Sequence, residues 1–262
     1  MARGLYRRTG SLVRMACRGG YVHVWRALLL LLGAAQVSQL AAQPAAVTPF
    51  SAAAAGTAIP APWAPVRINE HKVSTRYDLV SDDGVVVLHA KADKAASGLG
   101  QPVRADVAAT PWLSWRWKVD APIAGADPSV SAREDAPARI VLEFDGDRTK
   151  LGLSDRAVDN LSEKLSGRPL PFATLMYIFA ERLPVGTVVA NPHTKRIQMI
   201  VVDNGAGVRA WNAFSRNVRE DYRRAFGQDP QALLTLGVLT DTDNTGTVAE
   251  AWYGDLKLSP QP

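Results

Sequence analysis

The sequence predicts an all-β fold with two short helices, an antiparallel β-sandwich of the jelly-roll kind. Three observations predict it. Short runs with apolar residues at every second position recur from residue 73 to residue 258, separated by Gly, Pro, Asp and Asn. Helical spacing occurs in only two brief stretches, 154–165 and 217–227. The end of the chain, 233–258, reads as two β-type runs around Asp241-Thr242-Asp243-Asn244-Thr245-Gly246, which predicts a closing hairpin. About ten short strands with so little helix pack as two sheets face to face.

Taken in order, residues 1–42 have the anatomy of an export signal. Arg26 is followed by the apolar run 27–35, too short for the roughly 20 residues that span a bilayer. Small residues follow (Ser38, Ala41, Ala42), so cleavage is expected between Ala35 and Gln43; an uncleaved anchor is the other reading of the run. Residues 43–65, rich in Ala and Pro, read as a flexible tether, and the sandwich is expected over 66–260. A periplasmic or secreted protein follows, with no membrane span once the signal is removed.

Within the sandwich, 73–79 is a strand, Asp82-Asp83-Gly84 a hairpin turn and 85–90 the partner strand. Residues 95–100 read as a loop and 103–108 as a strand. The clearest strand is 111–120, with Leu113, Trp115, Trp117 and Val119 on the apolar face and Ser114, Arg116 and Lys118 on the other. After a long loop, 138–145 turns Ile140, Leu142 and Phe144 inward and Arg139, Glu143 and Asp145 outward. The helix at 154–165 starts at Ser154 and stops at Gly167 and Pro169. Strands follow at 174–181, 196–203 and 208–215, then a helix capped by Asn217 and Gly227. In the last strand Trp252, Leu256 and Leu258 are expected inward, with Tyr253, Asp255 and Lys257 outward.

Charge and cysteine exclude several functions. The chain carries 30 Lys and Arg against 25 Asp and Glu. Six of the arginines fall in residues 1–26, which hold no acid, leaving 24 basic against 25 acidic side chains beyond them. No nucleic-acid partner is therefore expected of the folded part. The single cysteine, Cys17, precedes the apolar run, which excludes disulfides, thiolate catalysis and cysteine zinc sites from the exported part. His71, His89 and His193 share no metal-ligand spacing, no serine sits in G-x-S-x-G, and no glycine-rich loop leads from a strand into a helix.

The combination of LSWRWKVD (113–120), the alternating strand ending in an acidic turn (138–147), the W..FSRNVREDYRRAFG stretch (211–227) and LTDTDNTG…AWYGDL (239–256) resembles the DUF3047 family, bacterial exported proteins catalogued as a domain of unknown function. The resemblance implies an exported β-sandwich and supplies no activity. It also implies that the helix at 154–165 is an insertion without a functional role.

Candidate site residues come from the residues themselves. Asp241, Asp243, Thr245 and Gly246 repeat the first half of a D-x-D-x-T-G calcium loop, but position 12 is Trp252 rather than Glu and the flanks are β-like. A plain turn and a sandwich calcium site built on Asp241, Asp243 and a neighbouring carbonyl or Asp255 are the two readings left. Arg116, Trp211, Glu143 and Asp145 are the candidate ligand-binding residues, Trp211 as a platform for a polysaccharide or another cell-envelope component. Arg116 and Lys118 are otherwise expected to pair with Glu143 or Asp145 across the sheet. A binding module without a catalytic set is the first functional reading. A glycosidase or lyase drawing two carboxylates from Glu143, Asp145 and Glu181 is the second.

Overall fold

The computed structural model describes residues 46–262; the expected export signal with its expected cleavage site, and Cys17, lie outside them. Two sheets pack face to face. One is seven-stranded, in the order β1 (Ala64–Arg67), β4 (Ala96–Ala105), β11 (Leu233–Asp241), β6 (Ala136–Phe144), β7 (Ala173–Phe179), β9 (Ile197–Asp203) and β8 (Val188–Ala190). The other runs β10 (Asn212–Asn217), β5 (Trp112–Val119), β12 (Val248–Tyr253), β3 (Val85–Asp93) and β2 (Arg76–Asp82), with β13 (Lys257–Ser259) on β5 beyond the end of β12. The jelly-roll-like sandwich is therefore the architecture. Its strands are antiparallel except β7 and β9, which run parallel because the chain passes out to edge strand β8 before β9 returns between them.

Strict alternation on β5 builds the centre of the core. Trp117 is wholly buried, and Trp115 stacks on Tyr177 of β7 at 5.1 Å and on Phe214 of β10 at 5.1 Å. The Trp117 indole N–H donates to Asp203 Oδ2 at 2.8 Å, so the ring is buried without orphaning its donor.

Four local expectations change. First, 233–258 is not a hairpin. Strands β11 and β12 lie in the interiors of different sheets, and residues 242–247 arch from one to the other. Second, β12 has the opposite parity: Ala249, Ala251 and Tyr253 are buried and Trp252 faces outward. The Tyr253 hydroxyl decides this. It reaches across to the other sheet, 2.9 Å from the Leu239 carbonyl and 2.8 Å from the Thr240 hydroxyl, and accepts the Arg139 backbone N–H at 3.3 Å. A one-residue slip would forfeit all three contacts and expose the ring.

Third, residues 96–100 belong to strand β4, not to a loop. A Cβ on Gly98 would lie 2.6 Å from the Val238 carbonyl oxygen, and one on Gly237 would lie 2.8 Å from that of Leu99. These glycines serve close strand approach rather than a turn. Fourth, the described part of 43–65 is not a tether. Phe50 is wholly buried, its ring 4.8 Å from that of Trp63, whose indole N–H donates to the Thr48 carbonyl. Gln101 of β4 holds the segment, accepting from Thr48 N–H and donating to the Ala46 carbonyl.

Two helices interrupt the strands. Helix α1 (Leu153–Ser166) is preceded by Gly152 rather than capped by Ser154, and ends at left-handed Gly167. Helix α2 (Val218–Phe226) starts where Asn217 Oδ1 accepts the Glu220 N–H at 3.1 Å and ends at left-handed Gly227. Asp221 in its first turn accepts from Arg216 at 2.6 and 2.8 Å and from the Tyr177 hydroxyl at 2.9 Å, fixing the helix to the core.

Because Tyr253 ties the two sheets through one oxygen, Tyr253→Phe is expected to lower stability by about 1–3 kcal/mol with the fold intact. Urea denaturation of the two proteins checks this. Equal midpoints would show that the hydroxyl contributes nothing.

Candidate functional site

The outer face of the seven-stranded sheet carries a cleft of about 600 Å³. The sequence makes its floor by omission. Register places Gly100 of β4, Gly237 of β11, Val141 of β6 and Met176 of β7 in one cross-strand row, with Gly98, Leu239 and Arg139 in the row beside it. Glycine where β4 meets β11 removes side chains from the floor of the trough. A Cβ on Gly100 would lie 2.9 Å from Val66, which walls that side.

Helix α1 forms the opposite wall, with Val158, Leu161 and Leu165 lining the cleft. Its apolar side is not packed onto the sheet; Leu161 is 56% exposed. Ion pairs hold the helix instead. Asp159 accepts from Arg148 at 2.6 Å and from Arg196 at 2.5 Å, and Arg196 also donates to the carbonyls of Leu170, Pro171 and Phe172. Glu143, on the floor side, takes both arms of Arg168 at 2.8 and 3.1 Å. The helix is thereby fixed at a distance from the sheet, and the space between remains.

A buried knot closes one end. Arg139 is 1% exposed, and its guanidinium donates to both Asp241 oxygens at 3.1 Å, to the Glu134 side chain at 3.3 Å and to the Glu134 carbonyl. Asp135 accepts the N–H groups of Asn244 and Thr245 at 3.2 and 2.6 Å, which shapes the 242–247 arch. Asp243 pairs with Lys72 at 2.7 Å through one oxygen, while its Oδ1 is buried without a hydrogen-bond partner among the described residues. Desolvation pushes the Asp241 carboxyl up to about 6 despite the opposing pull of Arg139.

The carboxylates that gather here differ from the expected set. Oxygens of Asp135, Asp241 and Asp243 lie within 4.8 Å of one another. Asp255 is elsewhere, accepting the Ser51 N–H at 3.0 Å. The chemistry of three carboxylates with one orphaned oxygen fits a hard cation such as calcium. Arg139 and Lys72 already provide two positive charges against these three acids and Glu134.

The expected ligand-binding residues fall on opposite sides of the sandwich. Glu143 faces the cleft, while Asp145 lies past the end of β6, exposed. Arg116 and Trp211 are on the outer face of the six-stranded sheet, and Arg116 lies over the Trp211 ring at 4.4 Å. Lys118 lies 4.6 Å from the Trp252 ring and pairs with Asp82, and His89 stacks on Trp252 at 4.9 Å. Neither Arg116 nor Lys118 pairs with Glu143 or Asp145, because β5 and β6 belong to different sheets. Glu181 is exposed on the turn after β7.

Sequence reasoning missed the cleft itself. Its signals were the glycines of β4, read as a loop, Gly237 inside a β-type run, and the apolar side of a helix read as an insertion.

The raised Asp241 pKa sets a pH dependence. Folding makes this carboxyl hold its proton more tightly than in the unfolded chain. Its contribution is therefore complete below about 3.8 and lost as pH rises through about 6. Relative to Asp241→Asn, the unsubstituted chain is expected to gain about 1 kcal/mol between pH 7 and pH 5. Denaturation curves at the two pH values read this directly, and parallel behaviour of both proteins would contradict it.

No curated protein matches significantly. Among solved structures, a family 11 carbohydrate-binding module from Clostridium thermocellum in complex with a β-1,3-1,4-mixed-linked tetrasaccharide is 7% identical, covering 82% of this chain and 94% of its own at a TM-score of 0.39. A family 30 carbohydrate-binding module of a cellulosomal cellulase from the same organism gives 10% identity, 75% and 97% coverage and a TM-score of 0.33. The xyloglucanase domain of a type three effector from Sinorhizobium fredii, in complex with cellobiose, gives 7%, 76% and 98%, and 0.37. At such identities and TM-scores these likenesses lend no weight to any ligand. The model of the family described as "Protein of unknown function (DUF3047)" matches residues 61–257, and the chain belongs to that family.

Proposed function

We propose that this is an extracytoplasmic binding module without a catalytic role, and that it holds a cell-envelope component in the cleft beneath α1. The observation that carries this reading is a preformed trough of about 600 Å³ whose helical wall is held off the sheet by ion pairs. Ligand pockets fall at roughly 300–1,000 Å³ and are largely formed before the ligand arrives. The leader supplies the compartment, and among the described residues no helix is long and apolar enough to cross a membrane. The carboxylates of the cleft are engaged: Glu143 by Arg168, and Glu134 and Asp241 by Arg139. That favours binding over the glycosidase or lyase reading, which needs an acid and a base free to reach the substrate.

A polysaccharide bound at Trp211 and Trp252 is a second reading, favoured by two tryptophans only partly buried on the outer face of the other sheet. Calcium at Asp135, Asp241 and Asp243 is an accessory part of the first, favoured by the orphaned Asp243 Oδ1 and by four acids facing two cations.

Thermal shift of the purified chain against fractionated envelope glycans and lipids tests the function. A fraction that raises the midpoint by several degrees, with the gain lost in Leu161→Glu and kept in Trp211→Ala, is the expected result. Loss in Trp211→Ala alone moves the site to the other sheet, and no stabilising fraction removes the binding reading. For the metal, millimolar calcium is expected to raise the midpoint, reversibly with chelator, and Asp243→Asn to abolish the rise. An unchanged midpoint removes calcium.

A further inference from the structure

We propose that the cleft takes an anionic single-chain amphiphile, an unbranched acyl chain ending in a carboxylate or phosphate. This names a ligand class for the site proposed above and rests on that reading. Three features point to it.

The lining is mostly aliphatic, with Asn69, Thr174, Asn191, His193 and Thr235 among its polar members. Val66, Val141, Val158, Leu161, Leu165 and Met176 line the space, and among the described residues no Phe, Tyr or Trp does. A sugar ring is ordinarily held by aromatic faces and by polar groups free to bond its hydroxyls. Here the rings are absent, and the cleft carboxylates are already bonded to arginines. An aliphatic chain asks only for apolar contact.

The floor is bare of side chains at three positions where β4 meets β11. Gly98, Gly100 and Gly237 sit side by side on β4 and β11, where a Cβ would collide with a neighbouring strand or with Val66. No side chain can grow into the trough at these points. A slender chain lies on such a floor, and Leu161 and Ile68, both exposed, supply apolar lips for it.

One charge lining the cleft is left without an opposite partner, and it is positive. Lys72, Glu134, Arg139, Glu143, Arg168 and Asp241 are each paired with an opposite charge. Arg67, at the end of β1, is the one formally charged Lys, Arg, Asp or Glu lining the cleft that has no ion-pair partner among the described residues. An exposed guanidinium beside an aliphatic trough suits a carboxylate or phosphate head.

Calorimetric titration of the full chain with dodecanoate, dodecyl phosphate, dodecyltrimethylammonium and a cello-oligosaccharide tests this. Dodecanoate and dodecyl phosphate are expected to bind one to one, with the ammonium amphiphile at least tenfold weaker. Both anions should weaken at least tenfold in Leu161→Glu and severalfold in Arg67→Glu. Leu161 is more than half exposed, so its replacement does not threaten the fold, and Leu161→Ala gives a milder second variant. Tighter binding of the ammonium amphiphile, or anion affinities indifferent to both Leu161 variants, overturns the proposal. If the oligosaccharide or an envelope glycan binds and Leu161→Glu abolishes it while neither anion binds, the acyl assignment falls and the binding function stands. If no probe or envelope fraction binds, both fall.

Discussion

A guanidinium removed from water is the constraint around which the C-terminal half of this chain is arranged. Arg139 sits on the outer side of its strand, where alternation alone would leave it solvated, yet it is covered. An uncompensated buried charge costs several kcal/mol, so anions must be brought to it. Asp241 comes from the end of β11, Glu134 from the loop before β6, and neighbouring Asp135 bonds the 242–247 arch that carries the chain to the other sheet. The backbone N–H of the same Arg139 donates to Tyr253 across the sandwich. One residue thus connects the β6–β11 pair, the arch and the second sheet, and it also closes one end of the cleft.

The cleft follows from how the outer face is covered. On one half, Ile178, Ala180, Val189, Met199 and Val201 form a small satellite core near β8. On the other half, glycines leave nothing to pack against, and α1 is positioned by Asp159, Arg148 and Arg196 rather than by apolar contact. Burial of Leu161 and its neighbours onto the floor would stabilise the fold further, at about 25 cal/mol per Å². The ion pairs hold the helix away from that contact, so its apolar side remains available to a ligand.

Much of the sandwich was legible in the sequence because alternation on β5 is strict, with one face of that strand buried and the other half-buried. The alternation of Trp115 and Trp117 with Arg116 and Lys118 reads correctly, as do Asn217 and Gly227 at the ends of α2. Where the reading failed, side chains answered to partners far along the chain. Tyr253 is inward because of Thr240 and Leu239 on the other sheet, a contact no local period reveals. Gly98 and Gly100 look like turn residues until β11 is placed beside them. Asp241 and Asp243 were identifiable as an acidic pair, but their third carboxylate, Asp135, is more than a hundred residues away and Asp255 is not in the cluster. The tether failed for the same reason: Phe50 and Trp63 are two large rings in a stretch of small residues, and they find the core.

The outer face of the seven-stranded sheet is open beneath α1. Thiol labelling measures it most directly, with Cys17→Ser as background so that one cysteine reports. In that background Val141→Cys places a thiol on the cleft floor, and Ala138→Cys places one between the sheets. A small thiol reagent is expected to modify the first under native conditions at a rate near that of an exposed cysteine, while the second reacts only as the chain unfolds. Equal protection of both would mean that α1 is seated on the sheet and that no preformed cleft exists.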